Sequence, residues 1–244
     1  MKSILATLRR ELLAYFYSPL AYVILTFFLF INGHFFWNIV QALSDPRFSG
    51  QITPFQAFFQ SSWLFLLFIT PMLTMRLLSE ERKAGTIESL MTAPVTEIEV
   101  VLGKFLAAFV FYAFLWLPTA AYAVIVARSS EVDWGPIAAG YLGVAGVGAL
   151  FLAIGVFGSS FTKNQIVAAI VTFCLLLFLM TLFFLIEPSS TGFWKDFLGY
   201  VNIFDHLDEF GKGVVDTRRL VFYFSTAALF LFLSARALEA KKWR

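Results

Sequence analysis

Long apolar stretches alternate with short polar ones along most of this chain. Six of the apolar stretches have about 20 residues or more, which is the length that an α-helix needs to cross a bilayer. The pattern therefore predicts an all-α, polytopic membrane protein with six transmembrane helices in a single membrane domain over residues 1–244. The predicted spans cover about residues 20–40, 57–78, 97–127, 134–159, 165–186 and 218–236.

The first 18 residues have a different pattern, because apolar and basic positions fall on opposite sides of a helix. The apolar positions are Ile4, Leu5, Leu8, Leu12 and Phe16, and the basic ones are Lys2, Arg9 and Arg10. This spacing predicts an amphipathic helix over residues 1–18 that lies in the membrane interface and ends at Ser18-Pro19. The alternative is an extension of the first span, since proline can kink a membrane helix without ending it.

Composition and charge agree with a membrane protein and give an orientation. The chain is 59% hydrophobic and 14% charged, with a net charge of +2, whereas a soluble domain has about 25% charged residues. Nothing in this balance favours nucleic acid as a partner. With both termini cytosolic, the loops and ends on that side hold twelve of the 18 basic residues, as the positive-inside rule requires. These are Lys2, Arg9, Arg10, Arg76, Arg82, Lys83, Lys104, Lys163, Arg236, Lys241, Lys242 and Arg244.

Two further regions predict details of packing. The fourth span carries small residues four positions apart, which let helix backbones approach closely, so we expect this span inside the bundle. The pairs are Ala139 with Gly143, Ala145 with Ala149, and Gly155 with Ser159. The long outer loop, residues 187–217, repeats apolar residues every three or four positions, which predicts short helices in or dipping into the outer interface.

The polar segment, residues 79–96, separates the second and third spans and has strong helix-end signals. Gly85 suits a left-handed position that ends one helix, and Thr86 can cap a short second helix with Glu88 in its first turn. Pro94 stops that helix, and Thr96 with Glu99 forms a capping box for the third span. This order predicts a stiff element that contacts a partner; a capped turn that only aims two spans is the alternative.

The same segment resembles the coupling loop of ABC-2-type transporter permeases. The similarity runs through "ERKAGTIESLMTAPV" (81–95) and continues in "VLGKFLA" (101–107). Two other stretches, "TKNQIVA" (162–168) and "GVVDTRRLVFYFS" (213–225), are most similar to gliding-motility-associated ABC permease subunits. Met91 stands where such loops usually have leucine, a change that conserves volume.

The resemblance implies a permease subunit of the bacterial inner membrane, driven by two copies of a separate cytosolic ATPase that hold ATP and Mg²⁺. It also implies a second permease, an accessory subunit with an extracytoplasmic domain, or a homodimer. The transporter would export a substrate or act in a gliding-motility machinery. Lipid would surround its spans. The implied ATPase contacts are Glu81, Arg82, Gly85, Thr86, Glu88, Leu90 and Met91, with a secondary contact at Thr162, Lys163 and Asn164.

Other functions have weaker signals. No G-x-x-x-x-G-K-[ST] motif occurs in the sequence, so we expect no P-loop, no enzyme activity and no cofactor in this chain. An ion-independent channel or a membrane scaffold without an ATPase is the alternative, and His34 is its best candidate residue near mid-span. A metal site would have to use Asp205, His206, Asp208 or Glu209, whose simpler interpretation is the polar face of an interfacial helix. The sequence gives no substrate-binding residue.

Overall fold

A computed structural model describes residues 2–45, 52–85, 96–186 and 199–240 of the chain, and these are almost entirely helical. An all-α fold is therefore confirmed for the described residues. This part of the chain forms ten α-helices: α1 (Lys2–Phe16), α2 (Pro19–Leu43), α3 (Pro54–Thr74), α4 (Ser79–Ala84), α5 (Glu97–Trp116), α6 (Ala120–Val126), α7 (Trp134–Ser159), α8 (Gln165–Ile186), α9 (Ile203–Gly211) and α10 (Thr217–Glu239).

Within the described residues, five helical stretches are long and apolar enough to cross a membrane. Two of them combine neighbouring helices: α3 with α4, and α5 with α6. The five are Pro19–Leu43, Pro54–Lys83, Glu97–Val126, Trp134–Ser159 and Thr217–Glu239. Helix α8 begins and ends where the fifth span, 165–186, is predicted, but its described apolar part, Gln165–Thr181, is shorter than the other five stretches. Six spans therefore stay a prediction, while a multi-pass membrane protein is established.

Helix α7 lies at the centre of the bundle, as its small residues predict. It packs against α3, α5, α8, α9 and α10, and most of its residues are buried. Its glycines let large side chains lie directly on the helix backbone: Gly140 meets Phe59, Gly143 meets Phe210, Gly146 meets Tyr223 and Gly148 meets Tyr112. Close approach of small and aromatic residues thus gives this bundle its dense interior.

Two residues, Tyr17 and Ser18, lie between α1 and α2. The amphipathic N-terminal segment is therefore a helix of its own rather than an extension of the first span. Helix α1 ends at Phe16 and α2 begins at Pro19, where proline is tolerated because the first helical turn needs no backbone donor. Leu8, Leu12 and Phe16 pack against the core, whereas the side chain of Leu5 is 60% exposed. The position of α1 in the membrane interface stays a prediction.

Two other prolines lie inside apolar stretches of the chain. Pro71 lies inside α3 without ending it, and Pro118 lies in the 3-10 turn Leu117–Thr119 that joins α5 to α6.

In the outer loop, α9 is one short helix that buries Ile203, Leu207 and Phe210 against α3 and α7. The remaining predicted helix positions of this loop, 187–198, lie outside the described residues.

Candidate functional site

The polar segment contains two well-defined helix ends, the C-terminal end of α4 and the N-terminal cap of α5. Gly85 ends α4 in the left-handed region, with φ 70° and ψ 3°, where glycine carries no steric penalty. At the other side, the Thr96 hydroxyl accepts from the backbone N–H of Glu99, and the Glu99 carboxylate accepts from the N–H of Thr96. Both local predictions are confirmed. Thr86, Glu88, Leu90 and Met91 lie outside the described residues, so their contact role stays a prediction.

Glu81 of the polar segment belongs to a group of four alternating charges. The members of this four-charge cluster are Arg10, Glu11, Glu81 and Lys104. The Lys104 Nζ is 2.9 Å from Glu11 Oε1 and 3.1 Å from Glu81 Oε1. The Arg10 Nη2 reaches the same two oxygens, at 2.9 Å from Glu11 and 2.5 Å from Glu81. The Oε1 atoms of Glu11 and Glu81 therefore each contact both Lys104 and Arg10. The cluster joins α1, α4 and α5.

The cluster is buried on one side and open on the other. The Lys104 side chain is 2% exposed, whereas that of Arg10 is 52% exposed. Burial acts to raise the pKa of Glu11, but the charges of Lys104 and Arg10 outweigh it and hold that pKa below its ordinary value of 4.5. Burial acts to lower the pKa of Arg10, and Glu11 with Glu81 reverses this. The contacts within the cluster thus favour the charged forms of Glu11 and Arg10.

The side chain of Tyr15 attaches the end of α1 to α3 and α5. The buried Tyr15 hydroxyl donates to the Leu73 carbonyl at 2.6 Å, and the Tyr15 ring stacks on Phe111 at 4.9 Å. The Arg76 guanidinium lies 4.5 Å from the centre of the Tyr15 ring, a cation–π distance. Helix α1 is therefore attached at Tyr15 as well as at the four-charge cluster, and it also packs against α5.

Helix α4 is also attached to the turn between α7 and α8. The Arg82 guanidinium donates to the Ser160 carbonyl, and α4 packs against α8. Within this turn, Thr162 Oγ1 accepts from the Asn164 N–H at 3.0 Å, and Asn164 Oδ1 accepts from the Ile166 N–H at 2.9 Å. Lys163 is exposed. The structure thus brings α4 and the predicted secondary contact, residues 162–164, to neighbouring positions.

The described residues of the candidate metal site contact other parts of this chain, and a channel role of His34 stays a prediction. His34 is exposed on α2. The backbone N–H of Phe204 and the side chain of Asp205 both contact Asn202, while Asp208 contacts Gln56 and Lys212. Glu209 pairs with Arg219, and buried His206 contacts Tyr223. No group of three or more His, Cys, Asp or Glu side chains that could bind a metal occurs among the described residues.

The sequence interpretation missed the four-charge cluster. It counted Lys104 and Arg10 as basic residues of one side and gave Glu11 no role. One signal was available: Lys104 is the only charged residue in the apolar stretch from Val100 to Trp116, and a charge inside a span requires a partner. The partners could not be identified from spacing, because Glu11 is 93 positions away.

Comparison with known proteins identifies a family. A family model described as ABC-2 family transporter protein matches residues 38–238, which is most of the 244-residue chain. The match includes α4, the polar segment and Lys104, whereas all of α1 lies before it. No curated protein matches the chain.

Proposed function

The chain belongs to the ABC-2 family of transporter proteins, and we propose that it is a permease subunit driven by a separate cytosolic ATPase that docks on the polar segment. The observation that carries this proposal is the pair of helix ends around the segment. Gly85 ends one helix and Thr96 begins the next, so both flanks of residues 86–95 are fixed. A force that the ATPase exerts on residues 86–95 would therefore act on both α4 and α5.

We assign the contact with the ATPase to Glu81, Arg82, Gly85, Thr86, Glu88, Leu90 and Met91, in two parts. Glu81 and Arg82 make ion-pair and hydrogen-bond contacts within this chain, and the Glu81 side chain is only 12% exposed. They position the base of the segment. Thr86, Glu88, Leu90 and Met91 then supply the surface that the ATPase contacts. Residues 162–164 supply the secondary contact, since their turn is attached to α4 through Arg82.

The orientation follows from the proposed docking. If the polar segment faces a cytosolic ATPase and α8 crosses the membrane as a sixth span, both termini are cytosolic. The distribution of basic residues supports this arrangement in a bacterial inner membrane. Helix α8 consists of 22 residues, from Gln165 to Ile186, and about 20 are needed to span.

The faces of α2, α8 and α10 that lie away from the bundle are proposed to contact lipid or a second membrane subunit. Each carries exposed apolar side chains, among them Phe30 on α2, Phe178 on α8 and Phe224 on α10. A second permease, an identical copy, or an accessory subunit with an extracytoplasmic domain would complete the transporter. The similarity of residues 162–168 and 213–225 to gliding-associated permeases favours the accessory subunit and a gliding-type machinery.

Co-purification tests the docking proposal. The tagged protein is isolated from its native membrane in mild detergent, and the proteins that accompany it are identified by mass spectrometry. Two variants are compared: Glu88→Lys, in the proposed contact surface, and Glu80→Lys, which makes the same charge change on an exposed residue of α4. We expect a P-loop ATPase with the unmutated protein and with Glu80→Lys, and its loss with Glu88→Lys.

Two results would contradict the proposal. An ATPase that stays bound to Glu88→Lys as well as to Glu80→Lys would remove the contact from this surface. Absence of any ATPase with the unmutated protein would favour the channel or scaffold alternative, and ion flux in vesicles with His34→Ala would then be the next measurement.

A further inference from the structure

We propose that Lys104 is a positioning residue that clamps α1 to α4, so that a displacement of the polar segment is transmitted to the N-terminal helix. The source of that displacement rests on the proposed function, because it is the docked ATPase that would move residues 86–95. The clamp itself is a property of this chain. It extends the moving part of the permease to α1, which the family match does not include.

The position of Lys104 makes it the common element of the four-charge cluster. Its ammonium group has three donors, and two of them lie within hydrogen-bond or ion-pair distance of Glu11 on α1 and Glu81 on α4. Helices α1 and α4 are far apart in sequence, since Arg10 and Glu81 are separated by 71 positions. Their positions at the cluster are therefore joined through side chains and not through a short connection.

Burial makes this junction resistant to separation. The Lys104 side chain is 2% exposed, and moving either glutamate away would remove one of the two counter-charges of this buried ammonium group. The outer cation, Arg10, bonds to the same two oxygens. Because signs alternate around the cluster, a displacement that brings like charges together is unfavourable. The arrangement therefore defines one relative position of α1 and α4.

Helix α1 is also packed against α5, the helix that carries Lys104. Gly103 lets the two helices approach closely, because a Cβ there would lie 2.7 Å from Thr7 Cβ, and the Phe16 ring packs on Phe111. Tyr15 holds the last turn of α1 to the carbonyl of Leu73 in α3. The ion pairs of Lys104 with Glu11 and Glu81 then join α1 and α5 to α4.

Apolar residues of similar volume would stabilise this junction equally well, since replacing a buried ion pair by packed hydrophobic residues is often neutral or favourable. Hydrophobic packing is non-directional, however, whereas alternating charges with short distances select one alignment. The presence of four charges at this position therefore indicates a requirement for alignment of α1 with α4 and not for stability alone.

Spin-label distances test the clamp in the complex of this protein with its ATPase. Exposed Cys174 is first replaced by alanine. One pair of labels is placed at Ala6 on α1 and Lys83 on α4, and a second pair at Ala6 and Ala240, which follows α10; all three positions are exposed. Each pair is measured without nucleotide and after trapping with ATP and vanadate, in the unmutated cluster, Lys104→Met and Lys104→Arg.

We expect a narrow Ala6–Lys83 distance distribution in both nucleotide states, and a change in the Ala6–Ala240 distance on trapping. Lys104→Met keeps the length of the side chain but removes its charge, so the Ala6–Lys83 distribution should broaden and the nucleotide-dependent change at Ala6 should be lost. Lys104→Arg keeps the charge and should restore both. Such a rescue separates alignment by charge from simple loss of packing.

A narrow Ala6–Lys83 distribution in Lys104→Met, or an unchanged response of Ala6 to nucleotide, would overturn the proposal. If Lys104→Met does not fold, Arg10→Gln opens the cluster from its exposed side and should broaden the same distribution; no broadening there would also overturn it. If no ATPase binds, the proposed function fails, but the effect of Lys104→Met on the Ala6–Lys83 distance in the permease alone still decides the clamp.

Discussion

The hydroxyl of Tyr223 and the Nδ1 atom of His206 are 2.7 Å apart and join α10 to the buried side of α9. On the other side of the ring, Nε2 lies 3.1 Å from the Tyr200 carbonyl. A carbonyl oxygen can only accept, so Nε2 carries the proton and Nδ1 accepts from Tyr223. His206 is therefore a neutral residue that fixes the outer loop to the bundle, and a second proton would make Nδ1 a donor, to which the Tyr223 hydroxyl could no longer donate.

Acidification is expected to loosen this part of the protein. Burial, and secondly the charge of Arg219, lowers the pKa of His206 to about 4 from an ordinary 6.5. Since the unfolded state binds a proton more readily than the folded one, stability should be complete above pH 6.5 and fall as the pH decreases towards 4. The difference corresponds to roughly 3 kcal/mol, and thermal unfolding in detergent between pH 7.5 and pH 4 measures it.

The control for this prediction is His206→Asn, whose side-chain oxygen can accept from Tyr223 but does not titrate in this range. The variant should be less stable at neutral pH, and the difference from the unmutated protein should shrink as the pH falls. Parallel stability curves for the two proteins would show that His206 does not contribute to the acid response.

Gly148→Ala is expected to destabilise the bundle. A Cβ at this position would lie 2.4 Å from the Tyr112 ring, which cannot retreat easily because its hydroxyl donates to the Val144 carbonyl at 2.9 Å. Overpacking of this kind costs about 1–3 kcal/mol. Gly199→Ala is the matched control, since a Cβ there meets nothing within 4 Å. Equal melting temperatures for the two variants would contradict the close packing of α7.

The features that the sequence predicted correctly are those that depend on neighbouring residues. Gly85 and the Thr96–Glu99 capping box end and begin helices through contacts only a few positions apart, so their residue types identify them. The packing of α7 was predictable for a related reason: small residues four positions apart fall on one helix face whatever the partner is. The identity of that partner, such as Tyr112 for Gly148, was not available from the sequence.

The features that were missed depend on pairs of residues far apart in the chain. Spacing placed His206 beside Asp205 and Asp208 as a candidate ligand set, but a helix turns its successive residues in different directions. His206 consequently faces Tyr223, while Asp208 faces Gln56 on α3. The partners of Lys104 come from two other helices in the same way. A buried charge could be recognised from the sequence, but its counter-charges required the fold.

The carboxylate of Glu11 gives a second prediction about pH, this time for the four-charge cluster. Its pKa is lowered below 4.5 because the charges of Lys104 and Arg10 outweigh the effect of burial. Its stabilising contribution is therefore present above pH 4.5 and is lost as the pH falls through the lowered pKa. Glu11→Gln should reduce the melting temperature at pH 7, and this reduction should decrease below pH 4.5.

Glu80→Gln is the control for Glu11→Gln, because Glu80 is exposed on α4 and its removal should change the melting temperature little at either pH. The interpretation of the cluster as an ion-paired group would be wrong if Glu11→Gln and Glu80→Gln lowered the melting temperature at pH 7 by the same amount.

The left-handed conformation of Gly85 leads to the last prediction, which concerns ATPase binding. A Cβ at this position meets nothing within 4 Å, so Gly85→Ala introduces no clash with other residues and its effect comes from the backbone alone. Holding alanine at φ 70° costs about 1 kcal/mol, whereas asparagine adopts this region more readily. Gly85→Ala should therefore change the direction in which the chain leaves α4, and it should do so in a larger fraction of molecules than Gly85→Asn.

If the direction of the polar segment matters for docking, Gly85→Ala should weaken binding of the purified ATPase about fivefold, the factor that corresponds to about 1 kcal/mol. Gly85→Asn should weaken it less, and the melting temperature of both variants should stay close to that of the unmutated protein, since α4 ends outside the packed core. Titration of the ATPase onto the permease in lipid nanodiscs measures these affinities. Equal affinities for all three proteins would mean that docking does not depend on how α4 ends, and the fixed helix end would then serve only to connect two spans.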